Sequence, residues 1–410
     1  MKVRLNPEQR IVFDKISKER KNIFLTGLSG SGKSTTLKYI FKKLKNKKNI
    51  VITSLTGISA LLLGGQTIHS YLGIGLGTAS FDVLLKKLQS SKFYLKCWTK
   101  LEILIIDEVS MLSIDLFEKL ERLARGLRRN NLPFGGIQLL LSGDFLQLPT
   151  VGSDKFCFES PIWKFCINEI IELKTTMRQK DELFINILNK VRIGKIDEEC
   201  RQILKSREIE YNSDYGIIPT MLYATNAKVD EFNLEYYNKL ENQEYEYDII
   251  YTWFKPCNKE AITNNLRFYQ KLNLKVGTQV MYLVNDDPLV NGSRGVVTNF
   301  IEEYPEVLFT DGFRKIISPH TLDVEVGDEK IMSYTQIPLR LSWAMSIHKS
   351  QGSSLDLLCV DLQNIFEYGQ FYVALSRART LEGLYIRNLD FNRNYTHPKA
   401  LEFYGYSGRV

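Results

Sequence analysis

At 410 residues, 44% hydrophobic and 25% charged, the sequence has a globular composition and the length of two or three domains, which excludes a disordered or low-complexity chain. A formal charge of +7 permits a polyanionic partner without requiring one. The six cysteines, at 97, 157, 166, 200, 257 and 359, never fall at the two-residue spacing of a zinc or redox motif, and no apolar run reaches the roughly 18 residues of a membrane span, so a soluble intracellular chain with reduced cysteines and no membrane partner is expected.

In chain order, MKVRLNPEQR lacks the apolar core of a signal peptide. A first set of short, branched apolar runs follows: NIFLT (22–26), NIVITS (49–54), LEILIID (101–107) and GIQLLLSGD (136–144), the lengths of buried parallel strands. The run YIFKKLKNKKN (39–49) reads as a solvated helix face rather than a binding patch, and DLFEKLERLARGLRR (115–129) places its apolar residues at three- and four-residue steps, an amphipathic helix. This set is one α/β domain. A second set comprises EIIEL (169–173), TMLYAT (220–225), LDLLCVDL (355–362) and GLYIR (383–387), with helices expected over 182–194 and 369–379. Between 240 and 335 the texture shifts to short strands such as TQVMYLV and RGVVTNF, joined across an Asn-Gly turn signal at 291 and 292. The expected architecture is therefore α/β: two parallel-sheet domains with a small β module inserted in the second.

Gly27 to Ser34 spell G-x-x-x-x-G-K-S between a strand and a helix, the context a phosphate-binding loop requires. Gly27, Gly30 and Gly32 let the backbone turn tightly so that its N–H groups and the helix N-terminus face phosphates. Lys33 then adds a cation at the β and γ positions, and Ser34 a hydroxyl for Mg²⁺, with Thr35 beside it. Asp107 and Glu108 end the third strand at the carboxyl edge of the sheet: Asp107 to hold Mg²⁺ through its water shell, Glu108 to orient or deprotonate the attacking water. The competing reading of the two acids as helix-start charge leaves the capping itself to Ser110 or Ser113. Gln147, delivered to the same edge, can donate to a phosphate oxygen and accept from water, as a γ-phosphate sensor does.

The succession LNPEQ, the phosphate loop, TGISALLLGGQTIHSYLGIGLG, IDEVSML, ARGLRRNNLPFGGIQLLLSGDFLQLP, LVNGSRGVV, IPLRLSWAMSIHKSQGSSLD and GQFYVALSRAR resembles, in order and over nearly the whole chain, the petite-integration-frequency family of DNA helicases, superfamily one type B. The resemblance implies two RecA-like P-loop NTPase lobes with ATP in the cleft between them. They would comprise 1–168, with a wedge element around 70–100, and 169–238 with 336–410, an SH3-like module occupying 239–335. It implies ATP and Mg²⁺ as cofactors, single-stranded and forked duplex DNA as partners, and a monomer. The activity implied is 5′ to 3′ movement on single strands with unwinding of duplexes, G-quadruplexes and RNA–DNA hybrids, in replication, repair and recombination.

By position, Gln9 would read adenine, and Arg178 and Arg377 would reach the γ-phosphate from the second lobe, where a permanently charged, bidentate guanidinium suits phosphoryl transfer. In SIHKSQGSSLD, Gln351 and Gly352 would lie near the nucleotide, and Ser346, His348 and Lys349 near DNA, together with Thr56, Thr67, His69 and Asn226. For His69 a buried structural role is the alternative; Phe145 and Leu148 could face DNA or core. Thr150 stands where the family usually has a second proline. A rival reading keeps DNA-dependent ATP hydrolysis but no strand separation, as in a translocase or remodeller. A catalytically silent scaffold would require a broken phosphate loop or a lost Glu108, and both are intact.

Overall fold

In the computed structural model the described residues are 5–75, 77–150, 152, 155–175, 181–210, 218–255, 263, 266, 268–284, 286, 289, 293–310, 312–326 and 329–406. Their first sheet is built from β1 (Ile23–Gly27), β2 (Ile50–Ser54), β3 (Gln66–Thr67), β4 (Ile103–Asp107), β5 (Gln138–Ser142) and β6 (Glu169–Leu173), in spatial order β3-β2-β4-β5-β1-β6. All pairs are parallel. β1 and β4 are buried at every position, which is why they read as continuous apolar runs rather than alternating ones. Helices α1 (Pro7–Ser17), α2 (Lys33–Leu44) and α3 (Ile114–Arg128) flank it. One core contains Phe24, Leu104, Phe117, Leu141 and Trp163; a second contains Val12, Ile23, Leu37 and Ile105.

Three elements differ in placement from the sequence-based expectation. The run at 169–173, expected in the second set of strands, is β6 of the first sheet, paired with β1 over five residues from Ile23↔Glu169 to Gly27↔Leu173. Helices α4 (Glu182–Arg192) and α6 (Gln370–Leu375), also assigned to the second set, belong by contact with the first unit, which comprises Met1–Ser206, Ile365–Leu384 and Leu389–Val410. The cause is polar as well as apolar: α4 carries a buried arginine bonded to Asp144, and residues on and after α6 bond the phosphate loop. Strand-like texture alone does not say which sheet a strand joins.

The second unit, Arg207–Asn364 with Tyr385–Asn388, holds a parallel sheet and the inserted β module. The sheet includes β7 (Thr220–Tyr223), β10 (Ala344–Ser346), β11 (Leu358–Asp361) and β12 (Leu384–Arg387), in order β10-β7-β11-β12, with α5 (Asn226–Asn238) after β7. Asn233 on α5 fixes β10 by accepting from the Ala344 N–H (2.9 Å) and donating to its carbonyl (3.1 Å). In the module, β8 (Gln279–Tyr282) and β9 (Arg294–Ile301) pair antiparallel as expected, while the Asn-Gly at 291 and 292 lies outside the described residues. The module's core gathers Val280, Val297, Val307, Met332 and Leu339. Among the described residues Cys97, Cys157, Cys166, Cys200 and Cys359 form no disulfide, and no helix is long and apolar enough to cross a membrane.

Candidate active site

The phosphate loop forms because β1 delivers the chain, fully buried, to a glycine no other residue could replace. Gly27 has φ +138°, and a Cβ there would stand 2.4 Å from the Leu173 carbonyl oxygen. Gly32, left-handed at φ +88°, launches α2 at Lys33. The Lys33 ammonium is drawn under the loop, donating to the carbonyl oxygens of Gly27 (2.7 Å) and Leu28 (2.9 Å). Burial pushes its pKa below the ordinary lysine value, opposed by the carboxylates of Asp144, Glu108 and Asp107. Ser31 Oγ is buried with no hydrogen-bond partner among the described residues, so the loop holds polar capacity in reserve for a phosphate oxygen.

Asp107 ends β4 opposite Ser54 of β2, and one step beyond the Ile106↔Leu141 pairing with β5. That register sets Ser142 beside it: the Ser142 hydroxyl donates to Asp107 Oδ1 (2.7 Å), and the Ser34 hydroxyl to Oδ2 (3.3 Å). Burial raises the Asp107 pKa, with the Ser142 bond working against it. Glu108 follows at φ +58°, a left-handed conformation uncommon for a non-glycine residue and a mark of functional sites. Of the two serines suggested as caps, Ser113 performs the task, accepting from the Leu116 N–H at 3.2 Å to start α3; Ser110 Oγ is buried without a partner among the described residues.

Gln147 is buried, its N–H donating to the Asp144 carbonyl (3.0 Å) and its amide nitrogen standing 3.5 Å from Asp144 Oδ2. Asp144 in turn is clamped by Arg192, Nε to Oδ2 and Nη2 to Oδ1, both at 2.9 Å, with both side chains out of water. Burial alone would raise the Asp144 carboxyl; Arg192 beside it holds it below the ordinary carboxylate value. Arg377 is buried and donates from Nη2 to Ser29 Oγ (2.8 Å), while the Tyr372 hydroxyl accepts from the Ser29 N–H (3.0 Å). Arg377 thus stands on the phosphate loop; Arg178 lies outside the described residues. Gln9 is buried in a capping box, exchanging bonds with Asn6 (2.8 and 3.0 Å), and its amide nitrogen stands 3.4 Å from the Gly32 carbonyl. Thr35 is exposed on the first turn of α2.

The DNA candidates collect at sheet edges. In the first unit, Ser54↔Thr67 pairing puts Thr67 at the carboxyl end of the strand pair and Thr56 just past it. Thr56 Oγ accepts from the Ser59 N–H (3.2 Å) and Thr67 Oγ from the Ser70 N–H (3.3 Å). His69 is half-buried, and burial pushes its imidazole pKa down. In the second unit, Ser346↔Tyr223 pairing brings Ser346 and the start of α5 to one edge. There Ser346 is buried and caps the turn by accepting from the Lys349 N–H (3.4 Å), His348 is half-buried, and Asn226 and Lys349 are exposed. Gln351 is buried and Gly352 takes φ +81°. Phe145 and Leu148, left open between DNA and core, are core: Phe145 lies 4.9 Å from the Phe24 ring and 4.7 Å from Phe158. The sequence reading missed Ser142, Arg192 and Tyr372. Only Ser142 left a signal, as the last strand residue of the run that supplies Gln147.

A parallel sheet with a glycine loop at β1, an acidic pair at β4 and a polar sensor after β5 defines a RecA-like P-loop NTPase. A family model described as PIF1-like helicase matches residues 4–202, and one described as the DNA helicase Pif1 2B domain matches residues 259–300. The chain is 36% identical to the ATP-dependent DNA helicase RRM3 of Saccharomyces cerevisiae, covering 98% of this chain and 67% of that one. The crystal structure of Pif1 helicase from Candida albicans is similar at TM-score 0.86 and 38% identity, over 99% of this chain and 100% of that one. Pif1 helicase from Bacteroides in complex with ADP-AlF3 and ssDNA is similar at TM-score 0.71 and 30% identity, over 98% and 97%. The chain belongs to the PIF1-like helicase family. It spans 67% of the length of RRM3 and 64% of that of PIF1 from Xenopus laevis.

Proposed function

We propose that this chain is an ATP-dependent DNA helicase that moves 5′ to 3′ along single-stranded DNA and unwinds forked duplex. The observation that carries the reading is the convergence on one phosphate loop of Lys33, the Ser34–Asp107–Ser142 chain, the Asp144 carboxylate that acts on Lys33, and Arg377. Support for the nucleic-acid half comes from the relatives: RRM3 is named an ATP-dependent DNA helicase, and the Bacteroides protein is described with ssDNA and a nucleotide analogue.

In this reading Lys33 and the loop amides bind the β- and γ-phosphates, and Gln9, freed from its capping box, reads adenine. Glu108 takes the proton of the attacking water, Gln147 senses the γ-phosphate, and Arg377 offsets its developing charge; Arg178 is proposed for the same task on its motif alone. Thr35, Gln351 and Gly352 complete the nucleotide contacts. Ser34 and Asp107 fit a Mg²⁺ site, since that ion keeps several waters and takes only one or two protein ligands beside substrate phosphates. Bound there, Mg²⁺ would supply charge neutralisation at the β and γ oxygens.

Thr56, Thr67 and His69 on one sheet edge, and Asn226, Ser346, His348 and Lys349 on another, would hold the strand by phosphate contacts. Loss of the γ-phosphate would alter the grip and permit stepping. The proposal extends to the wedge around 70–100, to a single chain as the active unit, and to G-quadruplexes and RNA–DNA hybrids as further substrates. The test is phosphate release with and without single-stranded DNA: Lys33→Ala should abolish it while strand binding by fluorescence anisotropy persists. Retained hydrolysis in that variant would sink the site assignment.

A further inference from the structure

The segment from Pro398 to Tyr406 carries none of the nucleotide-binding motifs, yet it is built into the catalytic unit. Ala400 is fully buried there, and the Phe403 ring lies 4.4 Å from Phe158 and 5.2 Å from Phe145. Lys399 pairs with Glu159. Packing of this kind anchors the segment, and the anchor sets the position of Tyr404.

The Tyr404 hydroxyl stands between two parts of the site. It accepts from the Phe145 N–H at 3.2 Å and lies 2.7 Å from Thr26 Oγ1. The two hydroxyls share one hydrogen bond, in which either oxygen can be the donor. Burial and the neighbouring Asp144 push the phenol pKa upward, so the hydroxyl keeps its proton and its hydrogen bonds across the working pH range. Thr26 is fully buried and immediately precedes Gly27; Phe145 lies between Asp144 and Gln147. The Tyr404 ring also sits 5.2 Å from the Arg192 guanidinium, which clamps Asp144. One side chain therefore touches the strand that launches the phosphate loop, the backbone of the sensor loop, and the arginine that pins that loop's carboxylate.

We propose that Tyr404 is a positioning residue for ATP hydrolysis, its hydroxyl fixing the spacing between the start of the phosphate loop and the loop that presents Gln147. The proposal rests on the ATPase reading above. Its physical basis is that reacting groups must be held within about 0.5 Å, and a bond joining their two backbones narrows that spread.

Tyr404→Phe removes the hydroxyl alone and keeps the ring that packs beneath Arg192. The expected result is a fall of about 3- to 10-fold in kcat for DNA-stimulated hydrolysis, the worth of one buried hydrogen bond, with KM for ATP changed less than about 2-fold. Thr26→Val should lose a similar factor, the double variant should be no worse than either single one, and Thr26→Ser, which retains the hydroxyl, should restore wild-type kcat. An unimpaired Tyr404→Phe, multiplied losses in the double variant, or a Thr26→Ser as slow as Thr26→Val would overturn the positioning role. A wild-type chain that hydrolyses no ATP would instead overturn the parent reading, so the two failures are distinguishable.

Discussion

Arg192→Met isolates the ion pair behind the sensor loop. Asp144 and Arg192 have 0% and 2% of their side chains exposed, and two N–O contacts of 2.9 Å join them, so methionine would keep much of the volume while stranding a carboxylate in the interior. Breaking one side of such a pair costs about 3–5 kcal/mol, and at roughly 2–4 °C per kcal/mol for a unit of this size the melting temperature should fall by about 6–20 °C. The pH dependence follows from the direction of the shift. Arg192 holds the Asp144 pKa below its unfolded value near ~3.9, so the pair contributes fully above that pH, and its contribution is lost as pH falls through the lower folded value. In Arg192→Met the carboxyl is pushed upward by burial, which destabilises the variant as pH rises toward neutrality. The gap between wild type and variant should therefore be largest near pH 7 and narrow toward pH 4. Differential scanning fluorimetry across that range reads both. A neutral-pH shift under about 2 °C, or a gap that widens on acidification, would refute the reasoning.

Gly369→Ala should be costly through backbone packing. Its φ is +69° and a Cβ would stand 2.6 Å from the carbonyl oxygens of both Leu146 and Gln147, so about 2–4 kcal/mol of stability and part of kcat should go together in thermal melts and ATPase assays. Glu108→Gln should cut kcat by about 10²- to 10⁴-fold while a fluorescent ATP analogue still binds; equal loss of binding would assign Glu108 to the ground state. His348→Ala should weaken DNA-stimulated hydrolysis more than basal hydrolysis, and equal loss of both would make His348 a residue of the fold.

Most strands of the two parallel sheets were legible because buried parallel strands write themselves as short branched runs, and the phosphate loop because its glycines and lysine are demanded by backbone geometry; the strands Gln66–Thr67 and Ala344–Ser346 were not, being too short to form such a run. Which sheet a strand joins was not: EIIEL has the same texture in either, and only its five-residue register with β1 places it. Residues acting at a distance along the chain were equally hidden. Arg192 reads as one more charge at a helix end, and nothing in its neighbourhood announces a carboxylate 48 positions upstream. Phe145 was ambiguous for the opposite reason, since an aromatic residue after a sensor strand suits a base or a core, and the ring cluster around Phe24 decides for the core.

The most direct test of the central claim is strand displacement from forked duplexes bearing either a 5′ or a 3′ single-stranded tail, with ATP and Mg²⁺. The account predicts displacement from the 5′-tailed fork, none from the 3′-tailed one, and none from either with Lys33→Ala. Displacement from the 3′ tail alone, or wild-type hydrolysis on DNA with both forks left intact, would contradict it.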